Sequence, residues 1–133
     1  MCGYSPDGSQ IAYLQDYRHL TVVNVDGTSK RRITDSSFID EGCDWSPDGR
    51  TIITASDGSL VAVGLDGTET QIPVSGDTVS SYAPAFSPDG SSIIFMANTD
   101  GEPHDIYTMR LDGSEPVQIT DTPQEEDFAD WGP

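Results

Sequence analysis

The sequence predicts an all-β fold, an incomplete β-propeller of three four-stranded antiparallel blades plus one extra closing strand. Three observations predict it. A short motif recurs at a constant spacing, short apolar runs separated by turn signals follow each copy, and no stretch carries a helical period. Four short strands in about 40 residues are typical of a propeller blade.

Each repeat opens with an aromatic residue followed by Ser-Pro-Asp-Gly. The aromatic residues are Tyr4, Trp45 and Phe86, at spacings of 41 residues, and Trp131 begins a fourth copy 45 residues later. The repeats cover about residues 4–44, 45–85 and 86–130 of a single partial domain, 1–133, with the final strand at 128–131. We expect the repeat aromatics and motif prolines to be structural: Tyr4, Trp45, Phe86, Trp131, Pro6, Pro47 and Pro88.

The other strands of each blade follow the motif. Isoleucine begins the next strand in each repeat, at Ile11, Ile52 and Ile93. A second apolar run at 20–25, 60–65 or 106–111 ends at an Asp-Gly turn signal, and the last strand ends near residues 33, 72 and 119. These runs are nearly continuous, which predicts strands buried on both faces.

The chain is strongly acidic. Six Lys and Arg stand against 23 Asp and Glu, giving a net charge of -17 and a pI of about 4.1. Eight aspartates precede a glycine, as in hairpin turns. The balance argues against nucleic acid as a partner, because phosphate binding needs clustered cations. No run approaches the roughly 18 apolar residues of a membrane span, and the first residues lack a basic and an apolar region, so we expect no signal peptide in this chain.

The two cysteines, Cys2 and Cys43, each lie two residues before a repeat aromatic. Their spacing does not match a metal motif. We therefore expect both to be small buried residues of the blades.

These residues carry a family resemblance over nearly the whole chain. Aromatic-Ser-Pro-Asp-Gly, then Ile-Ala-Tyr or Ile-Phe, then Leu-Asp-Gly and Ile-Thr-Asp resemble the WD40-like (PD40) repeat of TolB-type propellers. The resemblance implies a six-bladed, periplasmic or extracellular docking platform whose loops and channel hold proteins or peptides. Related propellers regulate proteases of the prolyl-oligopeptidase and tricorn types. Because the motif is lost after Trp131, we expect the C-terminal part of a propeller.

Acidic residues cluster in the segments that enter the first strands. In TolB-type relatives these segments open toward the central channel, so they predict an acidic mouth that attracts a cation or a basic peptide. A solvent-facing acidic rim is the alternative. The candidates are Asp40, Glu41, Asp44, Glu125, Glu126, Asp127 and Asp130.

The third blade has a longer connection, 97–105, between its second and third strands. Insertions of this kind often lie on the binding face of a repeat protein, although a solvated loop is the alternative. Its contact candidates are Asn98, Asp100, Glu102, His104 and Asp105. Residues 98–101 weakly resemble a calcium loop but lack its distant glutamate. We therefore predict no cofactor, with Ca²⁺ as the alternative.

Catalytic arrangements are missing from the sequence. The two histidines, His19 and His104, lie in corresponding loops of two blades and match no hydrolase or metalloenzyme motif. We predict a binding scaffold for a protein, peptide or cation, and no enzyme. The alternatives are a regulatory propeller fragment of a prolyl-oligopeptidase or tricorn-type protease, and a lyase-like propeller. We expect the open ends to be covered by a homodimer that completes six blades, or by the remainder of a longer chain.

Overall fold

A computed structural model describes residues 3–35, 42–76, 78–99, 102–124 and 129–131. Three antiparallel sheets stand in chain order, and no helix occurs in these ranges. The first blade holds β1 (Gln10–Gln15), β2 (His19–Asn24) and β3 (Arg31–Arg32). The second holds β4 (Cys43–Trp45), β5 (Thr51–Ser56), β6 (Ser59–Gly64) and β7 (Glu69–Ile72), and the third β8 (Thr78–Phe86), β9 (Ser92–Thr99), β10 (Asp105–Arg110) and β11 (Val117–Gln118).

The predicted blades are confirmed, and the chain is an incomplete propeller that does not close. The first strand of the first blade is reduced to one antiparallel bridge between Tyr4 and Ile11. The extra closing strand at 128–131 is not formed by residues 129–131, which are irregular. A strand needs a hydrogen-bonded neighbour, and no sheet of the described chain pairs with this segment.

The Ser-Pro-Asp-Gly motif folds as a self-contained turn between the first and second strands. In the second blade the Asp48 carboxylate accepts hydrogen bonds from the Ser46 hydroxyl, 2.7 Å, and the Arg50 amide, 3.0 Å. The Ser46 hydroxyl oxygen in turn accepts the Thr51 amide at 3.0 Å. Gly49 has a φ of 69°, in the region that favours glycine. The serine, aspartate and glycine of the motif are therefore fixed by the turn.

Successive turns also stack on one another. A Cβ built on Gly49 would lie 3.6 Å from the Pro6 ring, and one built on Gly90 would lie 3.4 Å from the Pro47 ring. The motif proline of one blade thus lies beside the motif glycine of the next, and this arrangement repeats at both junctions between blades.

Two apolar cores lie between the blades. Leu20 and Val22 of the first blade pack with Trp45 and Val63 of the second. On its opposite face the second blade packs against the third, with a core that includes these buried residues: Ile53, Leu60, Ile72, Phe86, Ile93, Phe95, Tyr107 and Met109. The middle blade is therefore buried on both faces, as the continuous apolar runs predict.

The repeat aromatics differ by position. Trp45 and Phe86 are 5% and 6% exposed, whereas Tyr4 and Trp131 are 67% and 36% exposed. The two inner residues belong to the apolar cores between the blades. Tyr4 and Trp131 lie at the two ends of the described chain, where no neighbouring blade covers them.

Cys43 is a buried residue of the second blade, but it is not a free thiol. Its side chain is buried, at 6% exposure, but it is disulfide-bonded. The sequence holds one other cysteine, Cys2, which lies outside the described residues.

Candidate functional site

Asp44 lies in the innermost strand of the second blade, directly before the repeat aromatic. Its Oδ1 accepts the backbone N–H of Trp45 at 2.9 Å. Its Oδ2 accepts the backbone N–H of Phe86, in the first strand of the next blade, at 2.8 Å. The carboxylate therefore joins the inner strands of two blades.

Asp130 occupies the same place before Trp131 and makes the same local contact. Its Oδ1 accepts the Trp131 backbone N–H at 2.7 Å. The corresponding position in the third blade is Ala85, and in the first blade it is Gly3. Carboxylates thus stand at two of the four equivalent positions.

The charge of Asp130 acts on the carboxylate of Asp44. The pKa of Asp44 is raised, first by burial and also by the negative charge of Asp130, while the backbone N–H groups of Phe86 and Trp45 oppose the rise. Two of the predicted acidic residues therefore lie within range of each other's charge. A cation placed between them would relieve their repulsion.

The other predicted acidic residues, Asp40, Glu41, Glu125, Glu126 and Asp127, lie outside the described residues, as does Asp100 of the loop. Their role stays a prediction. Within the described ranges, no group of three or more His, Cys, Asp and Glu side chains is arranged to hold a metal ion.

His104 contacts its own blade. Its ring packs edge-on against Tyr82, with centroids 5.2 Å apart. In the first blade, His19 Nδ1 lies 2.8 Å from the Arg32 guanidinium. The structure thus places the two loop histidines in separate contacts of their own blades.

Asp105 departs from its predicted contact role. It is 7% exposed, and its carboxylate accepts hydrogen bonds from Gln118, 2.9 Å, and Thr120, 3.1 Å. The Thr122 amide donates to it at 3.3 Å. Asp105 therefore fixes β11 and the segment after it to β10, because a buried carboxylate needs such partners.

Two features of this region were missed from sequence. The Asp44 to Phe86 hydrogen bond joins residues 42 positions apart, and the Trp45 indole N–H donates to the Gly3 carbonyl of the preceding blade at 3.0 Å. The available signal was the Asp-Trp pair repeated at 44–45 and 130–131. The pair indicates a repeat position, but the partner strand follows only from the stacking of blades.

Comparison with solved structures fixes the architecture. The chain superimposes on TolB from Acinetobacter baumannii with a TM-score of 0.79 at 19% identity, covering 94% of this chain and 33% of that one. A TolB-type protein of Agrobacterium tumefaciens gives 0.75 at 23% identity, with coverages of 89% and 47%. The chain has a TolB-like β-propeller fold.

Sequence comparison adds one curated relative. The Bacillus subtilis protein named uncharacterized peptidase YuxL is 29% identical, and the match covers 80% of this chain and 23% of that protein. No family model matches. The TolB-like chain thus spans less than half of each of these three proteins. In the described part of the chain, no helix has the length and apolar character needed to cross a membrane.

Proposed function

We propose that this TolB-like propeller is a binding scaffold, and no enzyme, whose acidic channel mouth takes a basic peptide segment of a partner protein or a cation. The observation that carries the proposal is the pair of carboxylates at equivalent repeat positions, Asp44 and Asp130: the pKa of Asp44 is raised first by burial and also by the charge of Asp130. The net charge of -17 extends the negative field beyond this pair. Because the chain is strongly negative, we do not expect it to bind nucleic acid.

A charge-neutralised variant tests the mouth. It carries Asp40→Asn, Glu41→Gln, Glu125→Gln, Glu126→Gln and Asp130→Asn. The probes are CaCl₂ and a lysine-rich peptide, each titrated by calorimetry at low and physiological salt. We expect binding to weaken in the variant and with salt, because surface charges are screened over about 8 Å at physiological ionic strength.

The matched control removes five acidic charges elsewhere, at exposed positions of the chain. Its substitutions are Asp16→Asn, Asp35→Asn, Asp57→Asn, Asp121→Asn and Glu115→Gln. We expect it to retain the affinity of the parent. If both variants lose affinity equally, only the total charge matters and the mouth is not a site.

The curated relative favours a second candidate, the propeller of a longer peptidase chain. The relative is named a peptidase, and this chain matches 23% of it. In that case the propeller regulates access to a separate hydrolase region. The complete coding sequence tests this: a downstream Gly-x-Ser-x-Gly region supports the second candidate, and further repeats alone support the first.

We propose that further blades cover the two open blade faces, and that a second copy supplies them when the chain is expressed alone. The first blade exposes Tyr4 and Val25, at 67% and 51%, and the third exposes Val117 and Ile119, at 52% and 57%. Two copies joined head to tail would give six blades, the number the family resemblance implies. Light scattering at several concentrations tests for twice the chain mass of 14.3 kDa; a cooperatively melting monomer would overturn the pairing.

A further inference from the structure

A groove between the second and third blades stands apart from the acidic mouth. It has a volume of about 970 Å³ and lies beside the Ser-Pro-Asp-Gly turns. Its apolar lining includes Ala62, Ile72, Phe86 and Leu111. Ile72 and Phe86 are nearly buried in the blade core, and Leu111 is 37% exposed. The groove therefore offers an apolar floor that reaches solvent.

The cavity at the corresponding place between the first and second blades is much smaller than this groove. There the cavity measures about 330 Å³ and is lined by the corresponding turn residues, such as Pro6, Pro47 and Asp48. The difference lies in the outer strands. Arg31 of β3 extends to the second blade, where its guanidinium donates to the Leu65 carbonyl at 2.8 Å.

The corresponding residue in the second blade is short. Arg31 pairs with Val22 in the first sheet, and Thr70 pairs with Ala62 in the second. Threonine and alanine thus replace arginine and valine at the equivalent pair. Further along the same strands Gly64 replaces Asn24. These smaller side chains leave the second junction open.

The rim of the groove carries one sign of charge. Asp48, Asp66, Asp89 and Asp112 line it, and none of its lining residues is Lys, Arg or His. Hydrogen bonds from neighbouring backbone amides and Ser or Thr hydroxyls hold the pKa of all four carboxyls below the usual value, to about 2 for Asp89. All four are ionised at neutral pH.

Two basic residues act on this rim from outside it. The charge of Arg50 lowers the pKa of Asp48, and that of Arg110 lowers the pKa of Asp112. Arg110 is itself held by Glu115 at 2.9 Å. Hydrogen bonds from Thr68 lower the pKa of Asp66, and hydrogen bonds from Ser91 and Ser87 lower that of Asp89. The rim therefore keeps a net negative field over an apolar floor.

We propose that this groove binds an extended peptide segment of a partner protein in which lysine or arginine alternates with aliphatic residues. The charges complement the aspartate rim, and the aliphatic side chains cover the floor. The outermost strand of the second blade, β7, contributes Thr70–Ile72 to the lining. As an edge strand it presents backbone groups that an extended peptide can pair with, which favours a peptide over a compact small molecule.

The test uses three labelled peptides in fluorescence anisotropy. One alternates lysine with leucine, the second alternates lysine with serine, and the third alternates glutamate with leucine. We expect the lysine–leucine peptide to bind at least about tenfold more tightly than the lysine–serine peptide, because each buried leucine contributes apolar area. The glutamate–leucine peptide should not bind.

Thr70→Arg is the blocking variant, since it copies the residue that closes the first junction. We expect it to lower the affinity for the lysine–leucine peptide at least about tenfold. A second variant, Asp66→Asn with Asp89→Asn, keeps the oxygen that caps each turn and should lower both affinity and its salt dependence. Gln124→Arg, exposed beyond the end of β11, adds the same charge outside the groove and should leave affinity unchanged.

Three outcomes overturn the proposal. Equal binding of the two lysine peptides would reduce the interaction to charge alone. Equal effects of Thr70→Arg and Gln124→Arg would show that position in the groove is irrelevant. Loss of binding in the neutralised-mouth variant with retention in Thr70→Arg would assign the peptide to the mouth instead.

Discussion

Asp44→Ala should destabilise the chain, because Asp44 joins the inner strands of two blades. Truncation leaves two backbone N–H groups without their acceptor, those of Trp45 and Phe86. Both residues are nearly buried, at 5% and 6% exposure, so water replaces the carboxylate poorly. A hydrogen bond to a charged group contributes about 1.5–3 kcal/mol.

Two effects oppose this loss. The carboxylate is partly desolvated, and the charge of Asp130 repels it, which is why the pKa of Asp44 is raised. Removing Asp44 relieves both. The loss of two hydrogen bonds outweighs the relief of desolvation and repulsion. We therefore expect the free energy of unfolding to fall by about 2–4 kcal/mol.

The chain supplies its own matched control in Asp130→Ala. That carboxylate also caps the amide of the following tryptophan, at 2.7 Å, but its residue is exposed. We expect a loss below about 1 kcal/mol. Urea unfolding followed by tryptophan fluorescence measures both variants. Equal losses would refute the argument that Asp44 stabilises the junction between blades.

The pH dependence of stability gives an independent check on the environment of Asp44. Because the folded-state pKa of Asp44 is raised above 3.8, the folded chain holds this proton more tightly than the unfolded chain. The resulting stability is fully present below the unfolded pKa and is lost as pH rises through the folded pKa. Asp130→Asn removes one cause of the rise, so ¹³C carboxyl NMR should show the pKa of Asp44 falling. An unchanged pKa would mean that Asp130 does not act on Asp44.

The remaining predictions concern the blade core, the turns and the cysteine. Trp45→Ala should cost about 3–5 kcal/mol in chemical unfolding, and Trp45→Phe about 1 kcal/mol from the lost hydrogen bond to Gly3; a parental melting temperature in both would contradict the packing role. The pKa of Asp89 is about 2 in the folded chain, below 3.8, so its stabilisation is lost as pH falls through that window, and Asp89→Asn should flatten the acid limb of a stability–pH curve. Reducing the Cys43 disulfide should cost about 2–4 kcal/mol, and alkylation followed by mass spectrometry should label Cys43 only after reduction.

Local features were the most predictable part of the fold. The Asp48 turn closes through residues no more than five positions apart, so its residue types reveal it in the sequence. The strands of each blade likewise pair through short hairpins, as Ser56 with Ser59 shows. Such contacts are made by residues that lie close together in the sequence, so the residue types alone predict them.

Contacts between blades were less predictable. Arg31 and Thr70 occupy equivalent positions, but only the stacking of blades shows that one closes a junction and the other leaves it open. The same holds for Asp44, whose partner Phe86 belongs to the next blade. The disulfide at Cys43 was missed because two cysteines without a metal spacing are equally compatible with free thiols.

The contacts between blades share one direction, and this constrains any partner of the open faces. Trp45 donates back to Gly3 of the preceding blade, and Gly90 of the third blade stacks on Pro47 of the second. Each blade therefore presents one kind of face forward and another backward. If a second copy covers the open faces, as we propose, we expect the copies to meet head to tail, because the two open faces are unlike. Such an interface either closes a ring or extends into a filament, so the mass measured by light scattering separates a closed pair from an open series of copies.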